Sequence, residues 1–157
     1  MMTAAAPSHG DFGAALGALS ALVAIEDAVR GSCMALADRD EAGALAAFAA
    51  GARCEHGSFA GTAPDYVAAA LAGALPGVSP RSWQVTSHGA GLSGAGAWAE
   101  TYVMADAPHG AADMMAGLRL LDRLAREGDT WRITSRRTLL DWTFRWPHGT
   151  PDHGERK

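Results

Sequence analysis

The chain has little cysteine, almost no lysine, no long charge run and no metal-ligand spacing, and each shortage removes a class of protein. Cys33 and Cys54 are the only two cysteines. Two are too few for a disulfide framework, and their apolar and acidic neighbourhoods suit free intracellular thiols. All 13 basic residues are arginine except Lys157, and the formal net charge is -4. An acidic chain without a basic cluster offers no surface to nucleic acid or to an anionic membrane. The six histidines show no HxH or HExxH spacing and none pairs with a cysteine, so no metal site is expected. Neither a GxSxG nor a cysteine nucleophile motif is present. Gly89-Ala90-Gly91-Leu92-Ser93-Gly94 has the form GxGxxG, but another strand follows it where a pyrophosphate would need a helix N-terminus. It reads as a turn, and no nucleotide, flavin or metal cofactor is expected.

What is present suits one globular domain. The chain has 157 residues, 48% of them hydrophobic and 19% charged, which is enough for one core and too little for two. Residues 1–11 and 147–157 carry Pro, Gly, His and charge without apolar period and read as mobile tails around a domain at 12–146. The apolar stretch from Phe12 to Ile25 has no Lys or Arg before it and is interrupted by Gly13 and Gly17, unlike a signal peptide. It is also short for a bilayer. A cytoplasmic protein is expected, with no membrane partner.

Leu22, Ile25, Val29, Cys33 and Leu36 recur at helical steps and predict an amphipathic helix ending near Asp38. A second helix is expected over about 41–50, then a short extended segment over 53–59. A third helix opens at Pro64 and stops at Gly73. Beyond it the period changes to two. Trp83, Val85 and Ser87 alternate with Gln84, Thr86 and His88; Trp98, Glu100, Tyr102 and Met104 alternate with Ala99, Thr101, Val103 and Ala105. Residues 115–127 have helical propensity but precede the turn Glu127-Gly128-Asp129, as a hairpin arm would. A last strand runs from Trp131 to Asp141-Trp142. Helices first and an antiparallel sheet after them make an α+β arrangement.

Asp38, His88 and Arg136 are polar residues in otherwise apolar elements. Each has a structural alternative: Asp38 as the cap of the second helix, with Glu41 completing a capping box; His88 as the start of a glycine-rich turn; Arg136 as a solvated strand residue.

Leu36-Ala37-Asp38-Arg39-Asp40, Phe48, His56-Gly57 and Gly61 resemble the first half of a SnoaL-like domain. Ser87-His88, Ala99-Glu100-Thr101-Tyr102, Asp122-Arg123 and Trp131-Arg132-Ile133 with Arg136 and Asp141-Trp142 resemble its second half. The resemblance is to the nuclear-transport-factor-2-like superfamily, and spans roughly residues 19–146. It implies a cone, a curved antiparallel sheet wrapped on three helices around a small-molecule pocket, with 115–126 as strand. Within that superfamily the pattern is similar to the dehydratase and dehydrochlorinase group (scytalone dehydratase, bile-acid dehydratase, lindane dehydrochlorinase). The resemblance implies a cofactor-independent lyase acting on a small hydrophobic, cyclic substrate. His88 would be the base, Asp38 its orienting carboxylate and Arg136 the stabiliser of developing negative charge. Tyr102, Cys33, Trp83 and His109 would line the substrate. Ala107 stands where scytalone dehydratase has a second histidine, and only His109 is near enough to replace it. An isomerase, cyclase or aldol-type lyase would use the same dyad, and a binding or assembly module needs none of it. The resemblance also implies a homo-oligomer, a trimer ahead of a dimer.

Overall fold

The computed structural model describes residues 9–75, 82–109 and 112–147. Three helices come first, α1 (His9–Ala37), α2 (Glu41–Ala46) and α3 (Ala63–Leu71). The strands are β1 (Phe48–His56), β2 (Phe59–Thr62), β3 (Ser82–Ser93), β4 (Gly96–His109), β5 (Ala112–Glu127) and β6 (Thr130–Pro147). They form one sheet in the order β2-β1-β6-β5-β4-β3, antiparallel except where β1 runs beside β6. The helices cover its concave face. Ile25, Val29, Cys33 and Leu36 of α1, Tyr66 and Val67 of α3, and Val103, Leu118, Leu120 and Ile133 of the sheet form the core.

Residues 115–126 are strand, as expected against their propensity. Met114, Ala116, Leu118, Leu120, Asp122 and Leu124 are buried at every second position, a period only a half-buried strand produces. Burial against the helices outweighs the intrinsic preference of the Leu-Arg-Glu run.

Several boundaries differ from the sequence reading. The Gly89–Gly94 stretch read as a turn is strand as far as Ser93, the extended segment over 53–59 is shared between β1 and β2, and the last strand runs on to Pro147. The second helix stops at Ala46 rather than about Ala50. Phe48 is 6% exposed and pairs with Ile133, and the Ala47 carbonyl accepts from the Ile133 N–H. Tertiary pairing therefore takes these residues from the helix. α1 also begins earlier, at His9 within the expected tail, and its Gly10–Ala37 portion is long and apolar enough to cross a membrane by length and composition alone. The C-terminal half of that helix lies in the core.

β-Bulges decide which way key side chains face. In β3 the register slips between Val85 and Ser87, so Thr86 and Ser87 both face out. In β6 it slips opposite Arg123-Leu124, leaving Thr134 as the extra residue. Simple alternation from Trp83 and Val85 would put His88 outside, and alternation from Trp131 and Ile133 would do the same to Arg136. Each bulge turns its residue inward, the re-aiming bulges commonly perform.

Candidate active site

Two neighbouring rungs of the sheet carry its buried polar chemistry. One reads His88, Thr101, Leu120, Thr138, His56 from β3 through to β1; the next reads Ala90, Ala99, Asp122, Arg136, Cys54. Every buried polar residue of the sheet among the described residues lies on these rungs: His56, Thr101, Asp122, Arg136 and Thr138. α1 lays Ser32 and Cys33 over them, and α3 adds Tyr66, whose hydroxyl lies 3.4 Å from Thr138 Oγ1.

Arg136 is 1% exposed, and three of the five N–H of its planar fork are engaged. Nε and Nη2 donate to the two Asp122 oxygens, each at 2.8 Å, and Nη2 also donates to Ser32 Oγ at 3.0 Å. Its Cζ sits 5.2 Å from the Phe48 ring centroid. Burial would lower the Arg136 pKa, but the Asp122 carboxylate outweighs it and the net shift is upward. The guanidinium is thus a permanent cation with its charge already matched. Nη1 is buried with no hydrogen-bond partner among the described residues. Burial pushes the thiols of Cys33 and Cys54 up to about 11 against the pull of Arg136, so both are inert, uncharged sulfurs near neutrality.

His88 is held differently. Its Nδ1 lies 2.8 Å from Thr101 Oγ1, while Nε2 is buried and without a hydrogen-bond partner among the described residues. Burial lowers its pKa below 6.5, opposed by the fields of Glu26 and Asp122. The upward shift that pairing with Asp38 would have given is absent, because the structure does not bring Asp38 to His88.

Asp38 is exposed in the turn after α1, and its carboxylate makes no hydrogen bond or ion pair with a described residue. The turn explains this. Arg39 takes a left-handed φ of 60°, its N–H donates to the Leu36 carbonyl and the Asp40 N–H to that of Ala35. These are the two bonds of a Schellman stop. The next residue is then the helix cap: Asp40, not Asp38, accepts from the Gly43 N–H, at 2.9 Å. Arg39 reaches back to donate to the Leu71 carbonyl at the end of α3, at 3.2 Å.

Of the expected lining residues, Cys33 and Trp83 face the interior, 0% and 4% exposed, and Trp83 Nε1 has no hydrogen-bond partner among the described residues. Tyr102 is on the opposite, convex face, 40% exposed, where its hydroxyl donates to Glu100 at 3.1 Å beneath Arg119. Its side chain and that of His88 lie on opposite faces, while both residues border a groove of about 330 Å³ that Ser87, Gly89, Trp98 and Glu100 also line. The His109 side chain lies outside the described residues. Thr101, Asp122, Ser32 and His56 were missed as site residues. For Thr101 a signal existed, one hydroxyl in an otherwise apolar inward row of Ala97, Ala99, Val103 and Ala105. Among the described residues no three His, Cys, Asp or Glu side chains are grouped to hold a metal.

Residues 17–137 match the SnoaL-like domain family. The chain is a SnoaL-like protein. No functionally curated protein matches it in sequence. Its fold is similar to that of a hexachlorocyclohexane dehydrochlorinase from Novosphingobium barchaimii, with a TM-score of 0.70, 15% identity and coverage of 85% of this chain and 96% of that one. A candidate scytalone dehydratase from Novosphingobium aromaticivorans gives 0.59 at 18% identity, covering 84% and 95%. A candidate ketosteroid isomerase from Shewanella frigidimarina gives 0.58 at 19%, covering 74% and 94%. At these identities the structural likeness establishes the fold, the nuclear-transport-factor-2-like cone.

Proposed function

We propose that this SnoaL-like protein is a cytoplasmic, cofactor-independent lyase that removes water from a hydrophobic cyclic substrate, with His88 as the base. The observation that carries the reading is the state of His88: anchored at Nδ1, unpartnered at Nε2, and kept neutral near pH 7 by burial. Thr101 takes the orienting role first assigned to Asp38. With Nδ1–H donating to Thr101 Oγ1, Nε2 presents its lone pair. It takes a proton from the carbon next to a carbonyl, the C–H electrons form the new double bond, and the β C–O bond breaks. The departing hydroxide recovers the proton from the imidazolium and leaves as water. Arg136 enters through the two N–H of Nη1, for developing negative charge. Asp122 already balances its cation, so its contribution is smaller than that of a bare guanidinium. Cys33 and Trp83 supply apolar walls. The same His88 would serve an isomerase, a cyclase or an aldol-type lyase.

A non-catalytic binding module is the second reading, and one observation favours it. Asp38, which a carboxylate-assisted dyad requires, stands in a solvent-facing turn.

Cyclic β-hydroxy ketones and hydroxysteroids, assayed for loss of water and gain of conjugated absorbance, separate the two. His88→Gln should abolish turnover while ligand affinity persists, because proton removal belongs to the transition state. Thr101→Val should lower the rate and leave Asp38→Asn as the unaffected control. Wild-type rates in His88→Gln would sink the lyase, and saturable binding without turnover in any variant would establish the module.

A further inference from the structure

α1 is longer than the domain needs. Residues 10–17 are all exposed, and its core contacts begin at Ala21 and Leu22. The family match itself starts only at residue 17. At about 1.5 Å per residue, residues 9–20 form an overhang of roughly 18 Å. A solvated overhang should be polar, yet Asp11 is the only acidic or basic residue between Gly10 and Ile25.

Its apolar residues are sorted by face. At about 100° per residue the helix has three sides. Ile25, Val29 and Leu36 mark the side on the core. Gly17, Ser20, Ala21 and Ala24 form a small-residue side that borders a groove of about 300 Å³ against Arg126, Asp129 and Trp131. The third side, roughly 120° from the core side, carries Phe12, Leu16, Leu19 and Val23, which are 67%, 56%, 59% and 51% exposed. Steps of four, three and four are the spacing of a coiled-coil seam.

We propose that this stripe pairs with the same stripe of a second copy, antiparallel, about a two-fold axis between Leu16 and Leu19. The spacing is its own complement: Phe12 meets Val23 of the other copy and Leu16 meets Leu19, so one axis satisfies all four residues on each helix. That is the condition for a closed, isologous pair. Antiparallel pairing also sends the two domains to opposite ends of the helix pair. A bilayer fits less well. The uncharged run Phe12–Ile25 spans only about 21 Å of a roughly 30 Å hydrocarbon core, and any longer stretch of α1 takes in Asp11 or Glu26. The first lysine or arginine in the chain is Arg30, so the overhang lacks the Lys/Arg face that anionic headgroups attract.

The full chain's mass by light scattering, across a concentration series, should be twice 16.2 kDa. Leu16→Glu with Leu19→Glu should weaken association by at least about 100-fold. Both positions are exposed, so the circular dichroism of the monomer should be unchanged. Register is tested by single cysteines. A mixture of Leu16→Cys and Leu19→Cys should oxidise to the mixed disulfide ahead of either self-pair, with buried Cys33 and Cys54 as silent background. Several results would overturn the proposal: a monomer throughout, a stable trimer, a 16–16 disulfide in preference to 16–19, or an oligomer that survives the double glutamate and dissolves with Trp142→Glu on the convex sheet face. Binding of the wild type, but not of the double glutamate, to phosphatidylcholine–phosphatidylglycerol vesicles would make the occupant a membrane and would also overturn it.

Discussion

The two faces of the sheet handle polar groups in opposite ways. On the concave face the ionic chemistry is sealed: Arg136 and Asp122 have side chains 0% exposed and hold each other through two bonds. On the convex face Arg119 links Glu100 and Asp141 at 3.6 and 3.1 Å with about a third of each side chain in solvent. There the apolar groups are the less usual feature. The Trp98 and Trp142 rings lie over Gly91 and Gly117, where an added Cβ would stand 2.7 and 2.2 Å from the indole nitrogens. Similar residue types therefore have different consequences according to whether water can replace a lost partner.

The largest test of that contrast breaks an ion pair on each face. Asp122→Ala leaves a buried guanidinium facing nothing and should cost about 3–5 kcal/mol in urea unfolding. Asp141→Ala should cost less than about 1 kcal/mol, since solvent takes over Arg119. Equal losses would erase the distinction between the faces. Gly117→Ala comes next. Its methyl needs the space of the Trp142 ring, which must lift into solvent, at about 1–3 kcal/mol; near-UV circular dichroism should report the displaced indole. The turn after α1 gives a smaller pair of effects. Asp40→Ala removes a helix cap and should cost about 1 kcal/mol, whereas Asp38→Ala should stay within about 0.5 kcal/mol. The smallest effect is a slope with pH. Burial holds the His88 pKa below 6.5 in the fold, so between the folded value and 6.5 the unfolded chain binds more protons. Stability should therefore rise with pH across that window and be complete above it. His88→Gln should flatten this part of the curve, and an unchanged slope would assign it to another group.

Most of the architecture was legible in the sequence because the periods of Leu22–Leu36 and of Ala97–Ala105 are long and clean. Position along the chain, with the turn at Gly128, tipped 115–126 only narrowly toward strand, and it was the resemblance that settled it against its propensity. The α2–β1 boundary was not legible, since Ala47 to Ala50 suit either state and only the pairing of Phe48 with Ile133 decides. The site was legible in part. His88 and Arg136 do face the interior, but two-residue alternation assigns each to the wrong side. The Asp38 partnership failed for a local reason: Leu-Ala-Asp-Arg-Asp offers two acids two residues apart, and nothing in the string says that Arg39 will adopt a positive φ and leave Asp40 as the cap. Asp122 was noticed beside Arg123 without its function, because its partner lies on the neighbouring strand.

The extra residues Thr86 and Thr134 are where the two strands hold one residue of slack. Without Thr86, plain alternation from inward Val85 passes through outward Ser87 to inward His88, and without Thr134 it passes from Ile133 through Ser135 to Arg136. A one-codon deletion at either place should therefore straighten the strand and leave both side chains on the concave face, whereas a one-residue slip elsewhere sends a whole run of side chains to the other face. Relatives of this fold that lack either extra residue can present the same inward groups from straighter strands.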